Sequence, residues 1–214
     1  MRTLWNEGEA EGNRNLRTHS FVIVWGGILW LWLVLLPISS YAWVCKEFEP
    51  EDWDESFSQY EGDYHNCPYG YAITIPQGFV GRGEAPSHTE HGVGILLSRS
   101  PQGYLWVDGG AASPDGDSPL DEEADKRIEW IENEAQKIVS VQKSYIMLDA
   151  LPAVRLIIQY ICPDDRVMVT DYFFALHGSA FEYTIALSAD AVKYEEYKAI
   201  IEHIAKTFQL KSCE

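Results

Sequence analysis

Hydrophobic positions fall into three patterns along the chain, and each predicts a different kind of element. The first is an unbroken apolar run, FVIVWGGILWLWLVLLPI, over residues 21–38. The second is alternation, first met where Tyr71, Ile73 and Ile75 alternate with Gly70, Ala72 and Thr74 before Pro76 and Gly78 end the strand. Further strands are predicted at Val93–Ser98, Tyr104–Val107, Val141–Leu148, Ala153–Ile161, Val167–Leu176 and Phe181–Leu187. The Ser100-Pro101-Gln102-Gly103 segment fits a type I turn. Asp149-Ala150, Cys162–Asp165 and His177-Gly178 supply the turns of an antiparallel meander. AVRLIIQYI and VMVTDYFFAL are nearly continuous apolar runs, so both faces of the central strands must be covered. The third pattern is helical. Ser118 and Pro119 open a helix carrying Ala124, Ile128, Ile131, Ala135 and Ile138 on one face. A last helix, Ala191–Phe208, aligns Tyr194, Tyr197, Ile201, Ile204 and Phe208.

The order strand, strand, strand, helix, four strands, helix resembles the PsbP-like fold over about Tyr69–Leu210. The resemblance rests on Tyr69-Gly70-Tyr71, Ile75-Pro76 and Gly78-Phe79, on the Leu151-Pro152-Ala153-Val154-Arg155-Leu156 run, and on the closing strand, helix and Phe208. It implies an α+β chain, an antiparallel sheet flanked by helices in an α/β/α sandwich. It also implies a non-enzymatic binding or assembly factor. These motifs specify architecture, so no ligand or substrate carries over with them.

Charge restricts the partners. Sixteen Lys and Arg against thirty-three Asp and Glu leave −17, which repels nucleic acid and anionic lipid surfaces. Membrane contact is then expected only through residues 21–38, if that segment is retained. Arg2, Arg14 and Arg17 precede the apolar run and acids dominate the chain after it, so the N-terminus is expected inside and the remainder outside. Pro37, with Ser40 and Ala42 placed before a cut at Trp43, favours removal as a signal peptide. Trp25, Trp30 and Trp32 with the twenty-residue leader favour a signal anchor. Both fates stay open for residues 1–42. The expected location is periplasmic or extracellular, free or anchored.

Residues 43–68 read as an acidic, aromatic linker or strap with Phe48, Trp53, Phe57, Tyr60 and Tyr64, and the PsbP-like domain is expected over 69–214. Cys45, Cys67, Cys162 and Cys213 all lie beyond the apolar run, an even number in an oxidising compartment, so disulfides are expected. Of three connectivities, Cys45–Cys67 with Cys162–Cys213 is the first guess. Ala42-Trp43-Val44 before Cys45 is not a lipobox, and the cysteine spacings do not resemble a zinc site.

Candidate chemistry is sparse. His88-Thr89-Glu90-His91 groups three ligand-type residues, and an enzyme using His88 and His91, metal-dependent or hydrolytic, is the alternative to a binding module. Asp115, Asp117 and Asp121 fit a helix N-terminus better than a calcium loop. Nucleophile-elbow, P-loop and dinucleotide motifs are missing, so no cofactor is expected. A binding face emerges from register. If His177-Gly178 is a two-residue turn, Tyr172 pairs with Tyr183. If Cys162 and Asp165 close theirs, Arg155 opposes Tyr172. Arg155, Tyr172 and Tyr183 would then form a row able to hold a small anionic ligand or a protein partner. The structural alternative is that the last helix or the strap covers this row, with Arg155 stacked on a tyrosine or satisfied by an acid.

Overall fold

The computed structural model describes Cys45 and residues 58–83, 91–111, 119–178 and 181–213. The apolar run 21–38, most of the strap, His88 and Asp115–Asp117 lie outside them. Among the described residues, no helix is long and apolar enough to cross a membrane.

Eleven strands and two helices are described. Short strands come first: β1 (Gln59–Tyr60), β2 (Asp63–Asn66), β3 (Tyr71–Thr74) and β4 (Gly81–Gly83). β5 (Gly92–Ser98) and β6 (Gly103–Ala111) precede helix α1 (Leu120–Glu134). The meander is β7 (Lys137–Leu148), β8 (Leu151–Ile161), β9 (Val167–His177) and β10 (Phe181–Asp190). Helix α2 (Ala191–Thr207) and β11 (Gln209–Leu210) close the chain. Eight strands form one antiparallel sheet in the order β1-β4-β5-β6-β10-β9-β8-β7, and β11-β3-β2 form a second.

Both faces of the large sheet are covered, as the apolar runs require. Leu105, Val107, Phe173, Ile185 and Leu187 pack against Ile201 and Ile204 of α2 and against Tyr71 and Ile73 of β3. On the opposite face Val154, Leu156, Ile158 and Met168 meet Ala124 and Ile131 of α1. Burying such side chains contributes about 1.5–3 kcal/mol each.

Several expectations change in detail. α1 ends at Glu134, and Ile138 belongs to β7, because Gln136 N–H already donates to the Ile161 carbonyl and the chain has begun pairing with β8. Gln59–Asn66, read as strap, form β1 and β2. The Ser100–Pro101 peptide is cis. β7 is an edge strand with Val141, Tyr145 and Met147 exposed. Lys143 and Tyr145 reach from it to Asp121 of α1, and Lys143 also to Asp125. Asp121 is thus held by a surface network.

The disulfides are Cys45–Cys162 and Cys67–Cys213, with Cα–Cα distances of 5.5 and 5.3 Å, which corrects the first-guess pairing. The cause is β11. Leu210 pairs with Tyr71, so the chain leaving β11 arrives at the β2–β3 turn, where Cys67 sits. Two residues of strand could not be read from the sequence. By the chain-entropy argument each bridge, closing a loop of more than a hundred residues, stabilises by about 5 kcal/mol, above the roughly 2–4 kcal/mol usual for a disulfide.

Candidate functional site

The small sheet delivers aromatic rings to one end of the large one. β2 turns Tyr64 and Asn66 inward and leaves Asp63 and His65 exposed, the two-residue period of a strand. Tyr64 lies edge-on to Tyr60 of β1 with centroids 4.8 Å apart, and 6.1 Å from Tyr71 of β3. Tyr71 and Tyr183 of β10 both pack on Phe208, which carries the aromatic contacts down to the end of α2.

Asn66 ties three segments together. Its Nδ2 donates to the His91 carbonyl and to the Tyr64 hydroxyl, and its Oδ1 accepts the Tyr69 N–H at 3.1 Å. The Tyr69 carbonyl accepts the Tyr183 hydroxyl at 2.8 Å. With its backbone held at both ends, Tyr69 sets its ring against the His91 imidazole, 4.8 Å away, and edge-on to Phe181.

These groups line a cleft of about 480 Å³ that includes Tyr60, Tyr64, His65, Asn66, Tyr69 and His91. A second recess, of about 370 Å³, lies along Tyr69, Phe181 and Tyr183. Tyr69 therefore borders both. Two glycines give the cleft its shape: a Cβ on Gly83 would stand 2.8 Å from the Tyr60 ring, and one on Gly92 only 1.9 Å from the Val107 carbonyl oxygen. Neither position accepts a side chain without displacement.

The electrostatics favour neutral hydrogen-bond donors. Burial raises the Tyr64 and Tyr71 phenols above their ordinary range, so both stay protonated. Behind the His91 backbone, burial pushes the Asp108 carboxyl up to about 6, although the His91 charge and the Gly109 and His91 amides pull it down. Its Oδ1 has no hydrogen-bond partner. A cleft of tyrosines, an asparagine and a histidine can stack and donate hydrogen bonds. Among the described residues, no three His, Cys, Asp or Glu side chains are arranged to hold a metal ion.

The expected row of Arg155, Tyr172 and Tyr183 is not assembled. Phe181 pairs with His177 across a three-residue loop, so Tyr172 opposes Ala186 and Tyr183 opposes Ala175. Arg155 opposes Phe173, one residue from the expected partner, and such a slip moves a side chain to the other face of the sheet. Arg155 and Tyr172 therefore lie on opposite faces. Arg155 binds Asp171 through Nε at 3.1 Å and Nη2 at 2.7 Å, reaches Glu202 at 3.0 Å and stacks on Phe173 at 4.7 Å. Its ligand-binding capacity is already filled. Tyr172 is buried near Trp106 and Arg127. Tyr183, buried too, supports the cleft through Tyr69. Tyr60, Tyr64 and Tyr69 were visible as aromatics in the sequence. The polar–apolar alternation of Asp63-Tyr64-His65 was the signal that could have placed Tyr64 on a strand.

The chain matches no family profile, and none of the curated proteins matches it. Solved structures are similar to it. The Ran-binding protein Mog1p of Saccharomyces cerevisiae superposes with a TM-score of 0.51 at 11% identity, over 72% of this chain and 97% of that one. The cyanobacterial PsbP of Synechocystis sp. PCC 6803 gives 0.46 at 15% identity, over 72% and 92%. LpqN of Mycobacterium tuberculosis, involved in cell envelope biogenesis, gives 0.49 at 12%, over 77% and 98%. Over the described residues the fold is PsbP-like, an antiparallel sheet flanked by two helices, in keeping with the superposition on Mog1p.

Proposed function

We propose that this protein is an exported, non-enzymatic binding or assembly module that takes a protein partner in its tyrosine-lined cleft. The observation that carries this reading is the position of Tyr69. It is fixed through its backbone, partly exposed through its ring, and set on the border of two recesses. Rigid aromatic anchors beside a pocket are the usual energetic centres of protein interfaces, because they bury a large area at small entropic cost. The net charge of −17 selects a partner with a basic face around an apolar or aromatic projection. The two disulfides support an oxidising compartment, in keeping with the leader. Mog1p, described as a Ran-binding protein, is a binder on this fold.

The test is Tyr69→Ala, expressed with the complete chain in a native-like host. Loss of a co-purifying partner with an unchanged circular-dichroism spectrum supports the cleft; retention at wild-type yield contradicts it. The enzyme alternative built on His88 and His91 is separated by metal analysis of untagged protein. Stoichiometric metal lost in both His88→Ala and His91→Ala would favour that alternative.

A further inference from the structure

A second concavity has the opposite electrical character to the rest of the molecule. It lies on the outer face of the small sheet, where β2, β3 and β11 meet the last turn of α2, and has a volume of about 470 Å³. Strand alternation turns His65 and Gln209 outward over Ala72, which is only 7% exposed and forms the floor. Lys206 and His203 enter from α2 and Lys211 from the segment after β11.

Four basic or protonatable side chains therefore converge where, among the described residues, a chain with twice as many acids as bases leaves a single carboxylate, Asp63. That carboxylate is engaged by the Thr74 hydroxyl at 2.8 Å. The Thr207 hydroxyl is occupied as well, accepting the Thr74 N–H and donating to the Ile204 carbonyl. Glu202, one helical turn before Lys206, is turned away to Arg155. Lys126, Lys143, Lys193 and Lys198 all sit in ion pairs. Lys206, Lys211, His65 and His203 have no hydrogen-bonding or ion-pair partner for their side chains among the described residues. A lysine in the last turn of a helix offsets the dipole there, which accounts for Lys206 alone. It does not account for Lys211 and two histidines around the same hollow.

We propose that this concavity is a binding site for a tetrahedral oxyanion, a phosphate or sulfate group carried on a small organic body. Two lysines match the double charge of a phosphate monoester and exceed the single charge of a sulfate ester. The volume is larger than a bare oxyanion requires and falls within the range of ligand pockets, which leaves room over Ala72 and Gln209 for the organic part. The surrounding negative charge is screened beyond about 8 Å at physiological ionic strength, so the local cations decide the interaction once a ligand is in contact. The site is distinct from the tyrosine cleft, with only His65 on the rim of both. It stands or falls independently of the proposed function.

The experiment is a titration of the full-length protein with sodium phosphate, sodium sulfate and sodium chloride at constant ionic strength, monitored through the imidazole proton resonances of His65 and His203. The expected result is saturable movement of both histidines with phosphate and sulfate and not with chloride. The midpoint should weaken at least tenfold in the Lys206→Gln/Lys211→Gln variant and be retained in Lys206→Arg/Lys211→Arg. All four substitutions are at exposed positions, and unchanged melting temperatures without ligand check that the variants are folded. Absence of saturation, an equal response to chloride, or an unaltered midpoint in the glutamine variant would overturn the site. Preference for phosphate over sulfate would assign it to phosphate esters, and the reverse to sulfate esters.

Discussion

Replacing Asp108 by Asn should stabilise the protein at neutral pH and leave its stability nearly unchanged at pH 4. Asp108 is packed behind the His91 backbone, and burial raises its carboxyl from an ordinary 3.8 to about 6. The folded state therefore holds this proton more tightly than the unfolded chain does. Between those two values the native state binds more protons, so stability falls as pH rises through the window. The full displacement corresponds to about 3 kcal/mol, and partial access of water reduces the expected loss to about 2 kcal/mol. Asn keeps the geometry: its Oδ1 can accept the Gly109 and His91 amides, and its amide group falls where a carboxylate oxygen now lacks a partner. At pH 7.5 the variant should melt roughly 4–8 °C above wild type. The assay is thermal unfolding of both proteins at pH 4 and 7.5 in one buffer series. Taking the difference between them cancels the pH dependence of the other carboxylates. If that difference does not grow with pH, the burial argument is wrong.

The same geometry fixes three further outcomes. Arg155→Met should cost about 3–5 kcal/mol in urea unfolding, because it strands the fully buried Asp171; a cost below about 1 kcal/mol would return Arg155 to the set of ligand-binding candidates. Gly92→Ala should destabilise by about 3 kcal/mol, since its Cβ would meet the backbone oxygen of Val107 rather than a side chain that can move; an unchanged denaturation midpoint would contradict the contact. Under mild reductant, alkylation and mass spectrometry should find Cys67 and Cys213 modified before Cys45 and Cys162, because both partners of the first pair are exposed whereas Cys162 is fully buried. The reverse order would contradict that reading.

The long elements were legible because their side chains repeat. Tyr194, Tyr197, Ile201 and Ile204 mark one stripe of α2, and the runs in β8 and β9 announce a sheet covered on both faces. What escaped was whatever depends on a single residue of register or on a strand of two to four residues. The loop between β9 and β10 is one residue longer than a tight turn, and β8 meets β9 one residue away from the expected pairing. The loop difference separated Tyr172 from Tyr183, and the β8–β9 slip separated Arg155 from Tyr172. β1, β4 and β11 are too short to show periodicity and β2 shows a single alternation, yet together they build the cleft, bring Cys213 to Cys67 and form the basic concavity. Pairing across more than a hundred residues leaves no local trace in composition. The site was therefore less legible than the fold that supports it.

The most direct test of the binding account is site-specific photo-crosslinking in native membranes, with a crosslinking residue placed at position 69 in the cleft and, as a control, at position 192 on the exposed surface of α2. A defined protein adduct from position 69, without the same adduct from 192, is the expected result. Equal labelling from both positions, or no adduct from 69 while the protein is folded and oxidised, would contradict the claim that this cleft receives a protein partner.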